Sequence, residues 1–188
     1  MHSGHISFAL QAQASGNLDT VYFLPERRPR AKFQVEHYAH RVAMLNRALR
    51  PHPQFEVLEM VDAKFSVGKT LPALAKLFPS SQLVFLFGSD VIEGLASWPH
   101  ADHLLSGGEL IIGLRDQDSR DAIKKIIAQW KTKAKSVTIF NSYAPHVSSR
   151  KVRSTIRNRE PTSGLLASVE RYSDNHWLYI SLGGVDTA

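Results

Sequence analysis

Hydrophobic positions alternate between helical and strand spacing along the whole chain. Residues 4–15, with Ile6, Phe8, Ala9 and Leu10, predict a short helix. Val21-Tyr22-Phe23-Leu24, within residues 19–25, predicts a buried strand stopped by Pro25. Val35, Ala39, Val42, Leu45 and Leu49 fall on one face of a helix over 35–49. Residues 55–60 read as strand, and 69–78 as a helix that ends at Pro79. Leu83-Val84-Phe85-Leu86-Phe87 is uninterrupted apolar sequence, the signature of a central strand covered on both faces, and residues 110–114 form a second such run. A helix over 120–130 carries Ile123, Ile126, Ile127 and Trp130, and Val137-Thr138-Ile139-Phe140 predicts a further strand. From Ser149 to Tyr179 the pattern is helical.

Strands alternating with helices predict an α/β fold, a doubly wound Rossmann-like parallel sheet with C-terminal helices. The length of 188 residues suits a single domain, 1–188. Residues 1–147 would form the Rossmann-like core and 148–180 the C-terminal helical part. A doubly wound sheet ordinarily opens with a strand feeding a glycine-rich turn. Here only Met1 precedes His2-Ser3-Gly4-His5, so the expectation is a sheet lacking its first strand. An intact sheet would then be interrupted where that central strand belongs.

Composition narrows the class. With 43% apolar and 21% charged residues the chain is globular, which excludes disordered, collagen-like and coiled-coil chains. No apolar run reaches 18 residues and no charged segment precedes an apolar one in the manner of a secretory signal. Cysteine is absent, which excludes disulfides, thiolate metal sites and cysteine nucleophiles. The expectation is a cytoplasmic protein with no membrane partner. The net charge is +6, and Lys and Arg are missing from residues 1–25. They gather at Arg27, Arg28, Arg30 and Lys32, in 120–135, and at Arg150, Lys151, Arg153, Arg157 and Arg159. Such clusters suit nucleic acid, an anionic surface or a small polyphosphate. The 120–135 lysines lie mostly opposite the apolar face, as on a solvated helix. Aromatic residues do not interleave with the basic ones as in single-strand binders, so no nucleic-acid partner is expected.

Three constellations carry chemistry. His2-Ser3-Gly4-His5 opens a helix, where free N–H groups and a partial positive charge attract phosphate; a frayed end is the plain alternative. Gly88-Ser89-Asp90 follows the most apolar strand, at the sheet edge where ligands bind, and Asp90 suits a ribose diol; as plain structure, Ser89 or Asp90 caps the next helix. Ser148 and Ser149 open a late helix, with Arg153 one turn on, where a guanidinium can clamp a polyphosphate; an ordinary N-cap on a basic helix fits equally.

In this order the three resemble the HxGH nucleotidyltransferase superfamily, and most closely the nicotinate mononucleotide adenylyltransferases. Arg41-Val42-Ala43-Met44-Leu45 resembles that family's R-x-x-M-L helix. Leu95 and Trp98 resemble its L-x-x-W, and Val169, Tyr172, Leu178 and Tyr179 its closing segment. The likeness spans residues 2 to 180. It departs where the family has a Gly-Gly-[TS]-Phe-[DN]-Pro loop ahead of the histidines. It departs also in the basic loop, where only Lys32 is kept, and near the pyridine pocket, where only Thr70 and Leu71 are kept. Arg150 stands for the Thr of S-S-T.

The resemblance implies adenylyl transfer from ATP to a mononucleotide phosphate. It implies that His2, His5 and Arg153 are catalytic, and that Gly88, Asp90, Ser148 and Ser149 bind ATP. Lys32, Thr70 and Trp98 would then bind the acceptor, Trp98 by stacking on its ring; a core aromatic is the plain alternative for Trp98. Mg²⁺ is implied with ATP, held by phosphates and water and by no protein metal site. The oligomeric state is left open, a homo-oligomer included. Two other readings stand. One is an adenylyltransferase with another acceptor such as phosphopantetheine, against which Arg153 and Trp98 speak. The other is a non-catalytic nucleotide-binding module, which the missing phosphate loop would favour.

Overall fold

The computed structural model describes residues 1–29, 35–115, 118–143, 147–158 and 160–180. Lys32 therefore lies outside the described residues.

The strands pair in parallel. β1 (Val21–Phe23) lies beside β2 (Phe55–Val57), with Val21 opposite Phe55. β3 (Val84–Gly88), β4 (Glu109–Leu114) and β5 (Ser136–Asn141) form a second sheet in that order, with Gly88, Gly113 and Phe140 in register. Among the described residues no pairing joins β1 to β3, so the five strands make two sheets. The parallel α/β arrangement is the one that the alternation of strands and helices predicts.

Helices α1 (Ser3–Gly16), α2 (Tyr38–Leu49), α3 (Val67–Leu77) and α6 (Arg120–Gln129) fall where the apolar periodicity predicts them. Two short helices, α4 (Ile92–Leu95) and α5 (Ala101–Gly107), fill the segment after β3, where the capping alternative for Ser89 or Asp90 implies a helix whose extent the periodicity does not give. One turn or two of helix presents too few apolar positions to establish a period. The tail splits into α7 (Ser149–Arg157) and α8 (Ala167–Asn175). Ser119 caps α6, its Oγ accepting from the Ala122 N–H at 3.4 Å.

One expectation is corrected. The run at 84–87 reads as the strand covered on both faces, yet every residue of β3 is only half-buried. β4 is the enclosed strand, buried at all positions but Glu109. Among the described residues β4 has β3 and β5 on its two sides, whereas β3 has a strand partner on one side only.

Two apolar clusters hold the layers. One gathers Ile6, Val21, Leu45, Phe55, Val169 and Leu178 between α1, α2, α8 and the β1–β2 sheet. The other gathers Val67, Ile92, Leu104, Ile112, Ile123 and Trp130 around the three-stranded sheet. The position of α1 is set by Gly113, where an added Cβ would come within 2.4 Å of the Phe8 ring. Phe8 also meets Phe140, ring centroids 5.4 Å apart. No described helix is long and apolar enough to cross a membrane.

Candidate active site

Parallel strands bring their carboxyl ends to one edge, and α1 delivers its N-terminus there. Phe8 lies at Gly113, next to the last residue of β4, whereas Gly16 lies back at Ile111. α1 thus runs against the strand direction. His5 stands one turn, about 5 Å, further out than Phe8, and His2 beyond it. The two imidazoles lie against each other, centroids 3.8 Å apart and planes tilted by 34°. His2 is buried, 5% exposed, and His5 is open to solvent. The helix end is only partly free. The Ser3 N–H donates to the Gly164 carbonyl at 2.8 Å and the His5 N–H to the His2 carbonyl at 3.0 Å. Gly164 reaches that position with φ +80°, where a Cβ would also strike Val147 at 2.8 Å.

The late basic helix begins beyond the same edge, following β5. Ser148 is its N-cap, its Oγ accepting from the Lys151 N–H at 3.2 Å, so this hydroxyl serves the helix. Ser149 and Arg153, one turn apart, line a cleft together with His2. The cleft has an empty volume of ≈ 370 Å³ including its open mouth, and Met44, Val152 and Tyr179 also line it. Among the described residues the Arg153 guanidinium has no hydrogen-bonded partner. Tyr179 is noticed in the sequence only as part of a closing pattern. Burial and the nearby Glu36 carboxylate push its phenol above the ordinary range, against the opposing pull of Arg153 and Arg41.

Gly88 and Asp90 lie at the end of β3, outside the residues that line this cleft. A Cβ at Gly88 would come within 2.6 Å of the Asp90 carboxylate, so glycine lets that carboxylate fold back on the chain. Asp90 is paired with Arg115, Nη2 to Oδ2 2.9 Å, across the ends of β3 and β4. The Ser89 hydroxyl donates to the Asp118 carboxylate, and the Arg115 N–H donates to Ser89 Oγ at 3.2 Å and Asp118 Oδ2 at 3.1 Å. The sequence reading misses Arg115; its signal is a basic residue directly after a buried strand.

Of the residues expected at the acceptor, Thr70 and Trp98 are built into the fold. Thr70 is 1% exposed, and its Oγ1 accepts from the Ser66 N–H at 2.9 Å, closing the first turn of α3. Trp98 is half-buried, edge-on to Phe87 at 6.0 Å and near Phe65 at 6.2 Å, against the second apolar cluster. The loops after β1 and β2 are knit together. The Arg28 N–H donates to the Ala63 carbonyl at 2.8 Å, and the Phe65 N–H donates to Glu26 Oε1 at 3.0 Å. Arg41 ties both flanks of the basic loop, donating to the carbonyls of Glu26 at 2.8 Å, Arg27 at 3.0 Å and Glu36 at 3.0 Å. Tyr38 lies between Arg27 and Arg41, whose guanidinium carbons are 4.4 and 5.4 Å from its ring centre. Burial and Glu59 raise its phenol despite those two cations.

The sequence profile of the family described as Cytidylyltransferase-like matches residues 1–156. The chain belongs to that family. It is 29% identical over 188 residues to the nicotinate-nucleotide adenylyltransferase of Bacillus subtilis strain 168, covering 96% of this chain and 93% of the relative. It is 27% identical to the probable nicotinate-nucleotide adenylyltransferase of Neisseria meningitidis strain MC58, covering 95% and 92%. Its fold matches that of the Plasmodium falciparum nicotinic acid mononucleotide adenylyltransferase complexed with NaAD, with a TM-score of 0.76 at 16% identity, over 95% of this chain and 91% of that one. The chain is an α/β nucleotidyltransferase.

Proposed function

We propose that this chain transfers the adenylyl group of ATP to the phosphate of nicotinate mononucleotide, releasing pyrophosphate, as a step of NAD biosynthesis. The observation that carries the reading is the meeting of His2 with Ser149 and Arg153 in one cleft at the carboxyl edge of the sheet. These residues come from opposite ends of the chain, and their shared property is donating hydrogen bonds to phosphate oxygens. The names of the full-length relatives supply the acceptor.

The acceptor phosphate is an anion at neutral pH, so attack needs no general base. An acceptor oxygen bonds to the α-phosphorus of ATP while the bond from that phosphorus to the α–β bridging oxygen breaks. The electron pair leaves with pyrophosphate. The barrier is lowered by alignment and by donors aimed at the charge that grows on the leaving group. His2 and His5 supply such donors at the α1 end, and Arg153 with Ser149 supplies them at the β- and γ-phosphates. Asp90 takes the ribose hydroxyls while sharing its carboxylate with Arg115. Trp98 offers a ring edge or face to the pyridine, and Lys32 a charge to phosphate. Among the described residues no group of three His, Asp or Glu is placed to hold a metal. Mg²⁺ enters with ATP as the MgATP substrate, held by the phosphates and water.

The test is pyrophosphate release with MgATP and, in parallel, nicotinate mononucleotide, nicotinamide mononucleotide or phosphopantetheine. Turnover is expected with the first at the highest kcat/KM. Turnover with phosphopantetheine alone would transfer the chain to another acceptor, and ATP binding without turnover on any acceptor would make it a binding module.

A further inference from the structure

After α8 the backbone turns sharply, and two residues other than glycine adopt left-handed φ, Trp177 at 54° and Tyr179 at 61°. Such residues persist only where the surroundings fix them. Here three bonds do so. The Leu178 N–H donates to the Ser173 carbonyl at 3.0 Å, Ser173 Oγ donates to the Leu178 carbonyl at 3.4 Å, and the Tyr179 N–H donates to Glu36 Oε1 at 2.8 Å. Leu178 is buried in the first apolar cluster. The turn exposes Trp177, 74% open to solvent, and sends Tyr179 to the wall of the cleft that holds His2, Ser149 and Arg153.

We propose that Tyr179 is a further phosphate-binding residue of this site, its phenol O–H donating to a polyphosphate oxygen beside Arg153, with Glu36 as the positioning residue that holds its backbone. The inference rests on the polyphosphate reading of the cleft. A phenol suits the position because it adds a donor without adding a second cation next to Arg153. It stays protonated there, since burial and the Glu36 carboxylate outweigh the two guanidinium groups. The Tyr179–Glu36 bond also links the turn after α8 to the segment leading into α2. Arg41 grips that same segment at the Glu36 carbonyl, so one short stretch organises both ends of the site.

The experiment compares the wild-type chain with Tyr179→Phe, which keeps the ring and removes the hydroxyl. Inorganic pyrophosphate is the calorimetric probe, and MgATP kinetics are measured alongside. The expected result is a Kd for pyrophosphate raised about three- to tenfold, the scale of one hydrogen bond. kcat/KM for ATP should fall by a similar factor, with KM for the acceptor and the melting temperature unchanged. Pyrophosphate binding by Tyr179→Phe equal to that of the wild type would overturn the proposal, as would a wild-type chain that does not bind pyrophosphate. A wild type that binds pyrophosphate, is weakened by Tyr179→Phe, and turns over no mononucleotide would leave Tyr179 in place and remove the adenylyl-transfer reading instead.

Discussion

At the end proposed to hold phosphate, His2, Ser149, Arg153 and Tyr179 come from the start of α1, from α7 and from the turn after α8, and they line one cleft. At the end proposed for the acceptor, outside the residues that line that cleft, Thr70 closes a helix turn and Trp98 rests against Phe87. The difference lies in what each ligand part asks of a protein. A phosphate asks for donors and positive charge, which a few side chains on separate elements supply without shaping the core. A pyridine ring asks for a flat apolar surface, and the same aromatic that provides it also packs the interior. A residue match at the phosphate end therefore speaks for binding, whereas one at the acceptor end is shared between binding and packing.

Removing Arg153 should break the phosphate end most severely. Arg153→Ala is expected to lower kcat/KM for ATP by about tenfold to more than a hundredfold, the scale of a charge-assisted hydrogen bond, with little change in melting temperature. Lys should restore only part, because an ammonium cannot fork. Unchanged ATP kinetics would erase the contrast between the two ends.

Trp98 sharpens the other side of it. Trp98→Ala should cost about 2 kcal/mol of stability, below the 3–5 typical of a fully buried aromatic because the ring is half-exposed. If it also stacks on the acceptor, the acceptor's KM rises with ATP binding intact. A melting temperature unaltered by the substitution, with a selective acceptor defect, would make Trp98 a binding surface alone and bring the acceptor end closer in kind to the phosphate end.

The smallest effect concerns two phenols, Tyr179 in the cleft and Tyr38 between Arg27 and Arg41, both raised in the folded protein. A group that holds its proton more tightly when folded contributes stability that is fully present below its unfolded pKa, about 10. That contribution fades as pH rises through the higher folded value, because the unfolded chain ionises first. Melting temperature should thus decline above about pH 10, and less steeply in Tyr179→Phe. An equal decline in the variant would mean that the Tyr179 phenol is not held away from water.

Element positions were largely readable from periodicity. The apolar run at 110–114 became β4, and the Ile123 stripe became α6. The rank of β3 was not, since an apolar run reports that a strand can be covered and says nothing about how many neighbours it acquires. Motif order singled out His2, Ser149 and Arg153, which line one cleft because parallel topology brings helix starts after strand ends to one edge. It did not disclose the Asp90–Arg115 pair, which depends on the register of β3 against β4. Nor did it disclose Tyr179, whose direction is set by two left-handed backbone angles that a tyrosine in a sequence does not announce.

The hydrogen bond from the Ser3 N–H to the Gly164 carbonyl joins residues near opposite ends of the chain. Closing so large a loop has an entropic cost. The burial of Ile6, Val169 and Leu178 in one apolar cluster offsets it, so the wall that carries His2 and Arg153 depends on the packing of α1 against α8 and the turn after it as much as on any donor it presents.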